Sequence, residues 1–572
     1  MSLLCGCFGL YLATLGLFAL GISITAWHGL AFLMSACLAS FLALEGQFID
    51  KLKKSGSILF LQLFLCGVLT GIASRFDDLS YDGMNARIEP VINLMSGWNP
   101  LRDPEFSQRE KVLPEHPFLK DGGSYQLTSG LTLAAFLAVL TGEINAGKAV
   151  TPILGLGAFG VVFGGLAALA IPRGWAAVLA AWTALNPVTI YQSSSYYVDG
   201  HVASLFAATL FAGIRVLKLP SLPGAAGFLF CWVLLITAKV SGFFYGVILL
   251  LLGLVFWPTK PRRKAVLAGA IVLLCGGLVG PLSYLHKSIG LSAAYWSHIQ
   301  AGTSYAGGPQ GYETWAPGLG AGTAPGRLAV FFRSHFAGTA ALADEPVRMK
   351  FPFWLNRREL AVFEDLSAQP YIGGFGPLYG ACFLLAAASL LVIRRWPPAF
   401  SWIPLVASFG SIYFSQIWWA RWTPQAWLIP IGFVLPLICA LQGRPPGRVW
   451  LLPLLSAFTG ILNSALILAF YLTGCIKSQL TLESQLAFLQ KLPQPLRIHM
   501  PVVDGSRLFK GCRIWFIRNQ LEYEFLSEAP PRPRMKMHRT STWVALSPES
   551  NPEVDVPPAT FNNWKKRKLI EP

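Results

Sequence analysis

The stretch ILGLGAFGVVFGGLAALA, residues 153–170, runs for eighteen residues without a charge. An α-helix of this length is about 27 Å long, close to the roughly 30 Å thickness of the hydrocarbon core of a bilayer. Residues 265–283 form a second uncharged stretch of the same kind. Both stretches predict helices that cross a membrane.

The composition of the whole chain agrees with this interpretation. Of 572 residues, 54% are hydrophobic and only 13% are charged, and the mean hydropathy is +0.52. A soluble domain of this length would need many more charged residues on its surface. The sequence therefore predicts an all-α polytopic membrane protein. Its apolar stretches lie near residues 3–26, 29–46, 57–74, 127–142, 149–171, 175–190, 201–216, 221–237, 240–257, 265–283, 375–393, 399–418, 423–441 and 449–472.

The formal net charge of +17 is placed largely between these stretches. Short basic clusters on the cytoplasmic side are typical of membrane proteins, so the charge indicates topology, and we expect no nucleic-acid partner. The connectors assigned to the cytoplasm are Lys51/Lys53/Lys54, Arg173, Arg215/Lys218, 260–264, Arg394/Arg395 and Arg444/Arg448.

Alternation of the connectors tests the number of spans. With a retained first helix and a cytoplasmic N-terminus, three spans place loop 75–126 outside, whereas Arg173 must lie inside. An odd number of crossings must therefore separate this loop from Arg173. Two apolar stretches lie between them, so one of these stretches does not cross the membrane. Stretch 127–142 is short and contains Thr128 and Ser129, and we interpret it as a re-entrant or interfacial helix. About thirteen spans result.

The same topology divides the chain into domains. Residues 1–56 form two N-terminal helices, and 57–472 form the main membrane domain with outer loops 75–126 and 284–374. Residues 473–528 predict a small α/β cap, with an outer C-terminus. The Pro-rich, basic segment 529–572 predicts disorder. Cys475 and Cys512 both fall in the polar tail that begins at residue 473, where an oxidising compartment would allow them to pair.

The first group of residues that suits chemistry is SRFDDLSYDG, residues 74–83. Asp77, Asp78 and Asp82 place three carboxylates within six residues at the edge of a span. Like charges and partial burial favour a raised pKa, a general base or a divalent-metal site. The alternative is a solvated polar loop. The amphipathic pattern of 84–100 then predicts a helix along the membrane surface.

Further polar residues fall near the outer ends of later spans. Asp199 follows the hydroxyl-rich run after Asn186-Pro187 and would serve either as a helix N-cap or as a site residue. Lys239 would extend to the interface or bind a phosphate. Arg421 lies in WWARWTPQAW, residues 418–427, where Trp418, Trp419 and Trp422 are typical of an interfacial aromatic belt.

In this order, the motifs resemble the C-type (GT-C) glycosyltransferases, which use polyprenyl-phosphate-linked sugars and include protein O-mannosyltransferases and lipid A aminoarabinose transferases. In that family an acidic pair closes a span, as Asp77-Asp78 with Tyr81 does here. A surface helix and a His-Pro segment follow, matching 97–100 and His116-Pro117 with Lys120. A second acid begins a later span, matching Asp199. Asp82 departs from the family, because a histidine often follows the tyrosine there.

The resemblance implies a sugar transfer from a lipid-phosphate donor to an extracytoplasmic glycan, lipid or protein acceptor, in a bacterial inner membrane. Asp77 or Asp78 would be the general base, and Tyr81, His116 and Lys120 would bind substrate. Asp199 would orient the acceptor, or bind a divalent metal with Asp78. Lys239, and less strongly Arg421, would stabilise the departing phosphate. Two alternatives are a flippase or transporter of lipid-linked sugars and a scaffold subunit of an envelope complex.

Overall fold

The structure is a computed structural model that describes most of the chain. His116, Lys120 and the predicted span 265–283 lie outside the described residues, so the predictions for them stay predictions. The described residues are 1–43, 48–102, 128–256, 324–341, 345, 347–393, 397–412, 417–442, 447–503, 506–507, 511–530, 532–546, 552 and 556–571.

Helices account for most of the described chain. They begin where the sequence supplies caps: Thr128, Asn186 and Ser221 each accept a hydrogen bond from a backbone N–H of the helix that follows. The first eleven are α1 (Ser2–Ala19), α2 (Gly29–Ala43), α3 (Phe48–Ser74), α4 (Ile88–Met95), α5 (Ser129–Thr141), α6 (Val150–Ala168), α7 (Arg173–Ala184), α8 (Pro187–Tyr191), α9 (Asp199–Lys218), α10 (Leu222–Ala238) and α11 (Val240–Phe256).

The second half of the described chain adds further helices and a small sheet. Its helices are α12 (Ala324–His335), α13 (Arg357–Glu364), α14 (Tyr379–Leu391), α15 (Ile403–Ile412), α16 (Leu428–Ala440), α17 (Leu451–Leu489), α18 (Cys512–Arg518) and α19 (Pro558–Lys566). Its strands are β1 (Leu496–His499), β2 (Val502–Val503), β3 (Ser506–Arg507), β4 (Tyr523–Phe525), β5 (Arg534–Lys536), β6 (Trp543–Ala545) and β7 (Ile570–Glu571).

Five helical stretches in the described residues are long and apolar enough to cross a membrane. Seven shorter apolar helices of 10–17 residues accompany them. The protein is therefore a mostly helical integral membrane protein, while the number of about thirteen spans stays a prediction. The five stretches are Ser2–Ala19, Ile49–Ser74, Ile144–Ala168, Asp199–Lys218 and Arg448–Leu489.

Every predicted apolar stretch within the described residues coincides with helical structure. The stretch 127–142, predicted to be re-entrant or interfacial, forms α5. Its 13 residues are about 20 Å long, short of the roughly 30 Å of a bilayer core, and most of its side chains are buried. The predicted spans α14 and α16 have the same number of residues, so the re-entrant or interfacial position of α5 stays a prediction.

The C-terminal region forms a cap, defined here as the described residues of 496–571. Its five-stranded sheet has the order β4-β1-β6-β5-β7, in which β1 pairs in parallel with β4 and the other pairs are antiparallel. The sequence-based prediction of disorder from residue 529 is wrong for the described residues. Met535 of β5 and Val544 of β6 are fully buried in the core of the cap, and this burial stabilises both strands.

The cap packs on the end of α17 and on the segment after α3. Leu482 and Leu486 of α17 share an apolar core with the cap, as does Met84. The N–H of Gly511 donates to the carbonyl of Met84 at 3.0 Å. Arg513 pairs with Glu89 at 2.8 Å, and both side chains are almost fully buried. The face of the helical domain that the cap covers is called the cap side below.

The two cysteines of the tail do not pair. Cys475 lies within α17 and Cys512 begins α18, and both are buried free thiols. The Cys475 thiol contacts the Ser194 hydroxyl, and Cys512 contacts Thr542. They therefore serve as small core residues.

Candidate active site

Asp78 fixes the acidic loop after α3 to a later segment of the chain. One carboxylate oxygen accepts the backbone N–H and the hydroxyl of Ser80, at 2.8 and 2.6 Å. The other oxygen accepts the backbone N–H of Tyr196 at 2.7 Å. Asp78 is 1% exposed. Burial raises the pKa of this carboxyl, although the charge of Lys148 and these hydrogen bonds oppose the change.

The loop closes tightly around that carboxylate. A Cβ atom at Gly83 would lie 2.0 Å from an oxygen of Asp78 and 2.5 Å from the hydroxyl of Ser80. Only a glycine allows the backbone to approach a buried carboxylate so closely. Asp78 and Gly83 together therefore set the position of Asp82, which lies between them in the loop.

Asp77 points toward the cap. Its carboxylate accepts hydrogen bonds from Asn145 at 2.8 Å, from Gln479 at 3.1 Å and from Arg518 at 3.2 Å. Its backbone N–H donates to the side chain of Gln479 at 2.9 Å. Arg518 belongs to α18 and also pairs with Glu143. Asp77 thus joins the membrane domain, α17 and the cap.

Asp199, Lys239 and Arg421 converge. Asp77, which the sequence-based mechanism expects in the same site as Asp199 and Lys239, forms its hydrogen bonds elsewhere, toward the cap. Lys239 Nζ lies 2.5 Å from Asp199 Oδ1, and Arg421 Nε lies 3.2 Å from Asp199 Oδ2. Gln192 donates to the same carboxylate at 3.3 Å. All three charged side chains are largely buried. Lys239 and Arg421 follow Asp199 by 40 and 222 positions in the sequence, and the fold brings all three into one charge cluster.

Asp82 completes this cluster. Its Oδ2 accepts a hydrogen bond from Arg421 NH2 at 2.6 Å, so Arg421 bridges Asp82 and Asp199. Gln369 accepts a second hydrogen bond from the guanidinium. The Asp82 carboxylate is 27% exposed, whereas that of Asp199 is 3% exposed. In the sequence, Asp82 is the third acid of its group and a departure from the family pattern, and its pairing with Arg421 cannot be predicted from the spacing.

Aromatic rings surround the two cations. Lys239 lies 3.9 Å from the ring centroid of Trp422, and the guanidinium of Arg421 lies 4.6 Å from that of Tyr197 and 5.0 Å from that of Trp419. Tyr371 stacks on Trp419 at 4.3 Å. Such contacts stabilise a desolvated cation. The belt interpretation of the tryptophans fails for Trp418 and Trp419, which are buried inside the protein.

Local structure places each charged residue at the end of a helix. Asn186 caps α8, a tight turn follows, and Asp199 begins α9. Lys239 is the residue between α10 and α11, and its backbone is extended, with φ −162° and ψ 159°. Arg421 lies in the turn that precedes α16. Helix ends on one side of the bundle thus bring together residues from distant parts of the chain.

Opposite charges dominate the electrostatics of the cluster. Burial alone would lower the pKa of Arg421, but the carboxylates of Asp82 and Asp199 raise it above its ordinary value. Arg421 therefore stays charged. Burial also raises the pKa of the Tyr197 hydroxyl, with the Asp82 charge acting in the same direction. Tyr197 stays neutral, and its oxygen accepts the backbone N–H of Asp82 at 3.3 Å.

Two buried donors in this region lack a hydrogen-bond acceptor among the described residues. They are the indole N–H groups of Trp419 and Trp422. Buried polar groups are nearly always hydrogen-bonded, so unmatched donors require an explanation, and a bound ligand is one. A ligand rich in oxygen atoms would satisfy both.

The other predicted site residues are placed differently. Tyr81 is about half exposed and lies one residue before Asp82. No group of three or more His, Cys, Asp or Glu side chains suited to a metal occurs in the described part of the chain. Asp78 accepts three protein donors, and Asp199 pairs with two cations. Neither carboxylate is arranged as a metal ligand, and we derive no step through a metal.

Comparisons with known proteins were made by sequence and by structure. No family model and no curated protein matches the chain. Among solved structures, ArnT from Cupriavidus metallidurans in the apo state matches with a TM-score of 0.33 and 14% sequence identity. The match covers 83% of this chain and 86% of that one. The functional assignment therefore depends on the residues of this chain.

Proposed function

We propose that the protein is an integral membrane glycosyltransferase that moves a sugar from a polyprenyl-phosphate donor to an extracytoplasmic acceptor. The observation that carries the proposal is the buried cluster of Asp82, Asp199, Lys239 and Arg421 on the cap side, with its unmatched donors. The resemblance of the motifs to C-type glycosyltransferases supports the same reaction. The cap side would face away from the cytoplasm.

The cations suit the leaving group of this reaction. When the bond between the anomeric carbon and the phosphate oxygen breaks, negative charge develops on the lipid phosphate. Lys239 and Arg421 would stabilise that charge, since fixed cations in a water-poor site need little reorganisation. The positive charge of Arg87 also acts on Lys239.

The neutral donors and rings suit the sugar. The indole N–H groups of Trp419 and Trp422 would donate to oxygen atoms of the sugar or phosphate. Aromatic side chains combine an apolar face with a polar atom, the combination that a sugar ring with its hydroxyl groups requires. Gln192 and Gln369, which contact the carboxylate and the guanidinium, would orient both charged groups.

The general base must have an oxygen that an acceptor hydroxyl can approach. Asp82 meets this condition best, because only its Oδ2 has a hydrogen bond among the described residues and because it is the more exposed acid of the cluster. Asp77 and Asp78, the bases expected from the sequence, accept three protein hydrogen bonds each. We therefore propose Asp82 as the general base and keep Asp77 and Asp78 as alternatives. The acceptor oxygen would attack the anomeric carbon as its proton passes to the carboxylate, inverting the configuration.

A panel of variants tests this assignment in membranes that contain a lipid-linked sugar donor. We expect Asp82→Asn to lower the rate of donor consumption by at least about 100-fold, the typical contribution of a positioned base. Asp199→Asn should also lower the rate, because it removes the carboxylate that positions Lys239 and Arg421. Arg421→Lys should lower the rate of donor consumption to a similar extent. Lysine keeps the positive charge but lacks the planar guanidinium that bridges the two carboxylates. Asp365→Asn, at a side chain that is 83% exposed, is the matched control.

The panel also separates the three acids. If Asp82→Asn retains full transfer while Asp77→Asn or Asp78→Asn abolishes it in folded protein, the base is the residue expected from the sequence. If none of the three variants lowers transfer, the proposed site is wrong. Gel filtration in detergent confirms that each variant is folded.

A further inference from the structure

The segment RMKFPFWLNRR, residues 348–358, exposes an unusual set of side chains between α12 and α14. Phe351 is 65% exposed and Trp354 is 68% exposed, and Met349, Phe353 and Leu355 are exposed as well. Large apolar residues next to one another on a protein surface indicate an interaction site. The segment contributes nothing to the cluster proposed for catalysis.

This segment is held in place by the protein. The N–H of Gly338 donates to the carbonyl of Arg348 at 2.9 Å, and that of Trp354 donates to the carbonyl of Phe351 at 2.9 Å. Lys350 pairs with Glu359 of α13 at 2.7 Å, and both side chains are mostly buried. The exposed rings therefore project from a loop whose backbone is fixed at both ends.

The loop lies beside a membrane helix. A Cβ atom at Gly380, in the first turn of α14, would lie 3.4 Å from Pro352 Cβ. Helix α14 runs antiparallel to α17, because Leu378 donates to Asn463 whereas Cys382, further along, contacts Ser456. Since α17 leads into the cap, α14 begins toward the cap side. Pro352 thus places the rings next to the cap-side end of an apolar helix.

Charge identifies the partner. Between residues 348 and 358 there are four basic residues and no acid, although Lys350 is paired with Glu359 and Arg358 lies 4.0 Å from Glu345. Arg348, Arg357 and Arg358 are exposed. A cleft of about 200 Å³ beside the loop is lined by Arg348, Lys350, Trp354 and Arg358 together with Glu345 and Glu359. Aromatic rings beside arginines at the end of a membrane helix match the boundary between acyl chains and anionic headgroups.

We propose that residues 348–358 form a lipid-docking loop that binds anionic phospholipids of the leaflet on the cap side. Phe351, Phe353 and Trp354 enter the boundary between headgroups and acyl chains, and Arg357 and Arg358 bind headgroup phosphates, with the cleft accepting one headgroup. This contact would hold the loop between α12 and α14 at the membrane surface.

Photo-crosslinking in nanodiscs tests the proposal with the full-length protein. Benzoylphenylalanine replaces Phe351 or Trp354, and the mass of the irradiated protein shows whether a phospholipid is attached. Substitution at Glu524, an exposed residue of an edge strand of the cap, is the control. We expect phospholipid adducts at 351 and 354, several-fold above those at 524, with enrichment for phosphatidylglycerol over phosphatidylcholine.

The headgroup contact has its own test. Arg357→Gln with Arg358→Gln should lower the yield of phosphatidylglycerol adducts roughly fivefold for each arginine, since each basic residue near an anionic surface contributes about that factor. Adduct yields at 351 and 354 equal to those at 524, or cross-links to another protein chain instead of lipid, would overturn the proposal. An unchanged preference for phosphatidylglycerol after both substitutions would overturn the role of the arginines.

Discussion

One guanidinium, that of Arg421, holds two carboxylates that the chain supplies from different helix ends. Asp82 and Asp199 bind it at 2.6 and 3.2 Å. Two nearby acids with one bridging cation would repel each other as soon as a ligand draws the cation away. A departing phosphate that attracts Arg421 would thus leave Asp82 a stronger proton acceptor. In the proposed reaction, the acid, the cation and the leaving group would therefore act together.

Gly83 gives the first prediction, because it fixes where Asp82 lies. Gly83→Ala would bring a Cβ atom to 2.0 Å from Asp78, whose carboxylate is held by three hydrogen bonds. We expect a loss of about 1–3 kcal/mol in stability from overpacking, and a reduced transfer rate as Asp82 moves. Thermal unfolding in detergent and the transfer assay measure the two effects.

The control for this variant is Gly71→Ala within α3. A Cβ atom there would meet nothing within 4 Å, and alanine is the better helix former by roughly 1 kcal/mol. It should leave stability and activity unchanged or slightly increase the stability. Equal losses from Gly71→Ala and Gly83→Ala would contradict the steric argument.

At the scale of the element, the helices could be predicted from the sequence and their contacts could not. Uncharged stretches predict helices because a bilayer requires internal hydrogen bonding of the backbone, and α6 and α17 follow that rule. The pairing of Asp82 with Arg421 depends on which helix ends meet, and spacing along the chain carries no such information. The folded strands β5 and β6 were missed because Pro-rich, basic segments have the composition of disorder.

The cap gives a prediction at the same scale. Arg513 of α18 pairs with Glu89 of α4 at 2.8 Å, and both side chains are buried. Arg513→Ala would leave a carboxylate buried without this partner, and removal of one member of a buried pair typically costs about 3–5 kcal/mol. We expect faster limited proteolysis of the cap and a lower unfolding temperature.

A second ion pair in the cap serves as the control. Arg497 and Glu524 lie 3.2 Å apart with both side chains more than half exposed. Arg497→Ala should change the free energy of unfolding by less than about 1 kcal/mol, because water screens exposed charges. If both variants destabilise the cap equally, the burial of the Arg513–Glu89 pair does not explain its contribution to the free energy of unfolding.

At the scale of the molecule, one helix connects membrane and cap. The 39 residues of α17 are about 58 Å long, well beyond the thickness of a bilayer core. Its apolar part packs with the membrane helices, and its last turns pack with the cap. Gln479 on this helix contacts Asp77. Asp77, at the start of the acidic loop, is therefore held between the membrane domain and the cap.

We propose above all that the cluster of Asp82, Asp199, Lys239 and Arg421 breaks the bond between a sugar and a lipid phosphate. The most direct measurement is lipid mass spectrometry of proteoliposomes that contain the purified chain, a polyprenyl-phosphate-linked sugar and an acceptor extract. We predict that the donor disappears as an equal amount of polyprenyl phosphate is released, and that Asp199→Asn abolishes this release. An intact donor that only changes leaflet, with no polyprenyl phosphate formed, would contradict the claim and indicate a carrier of lipid-linked sugars.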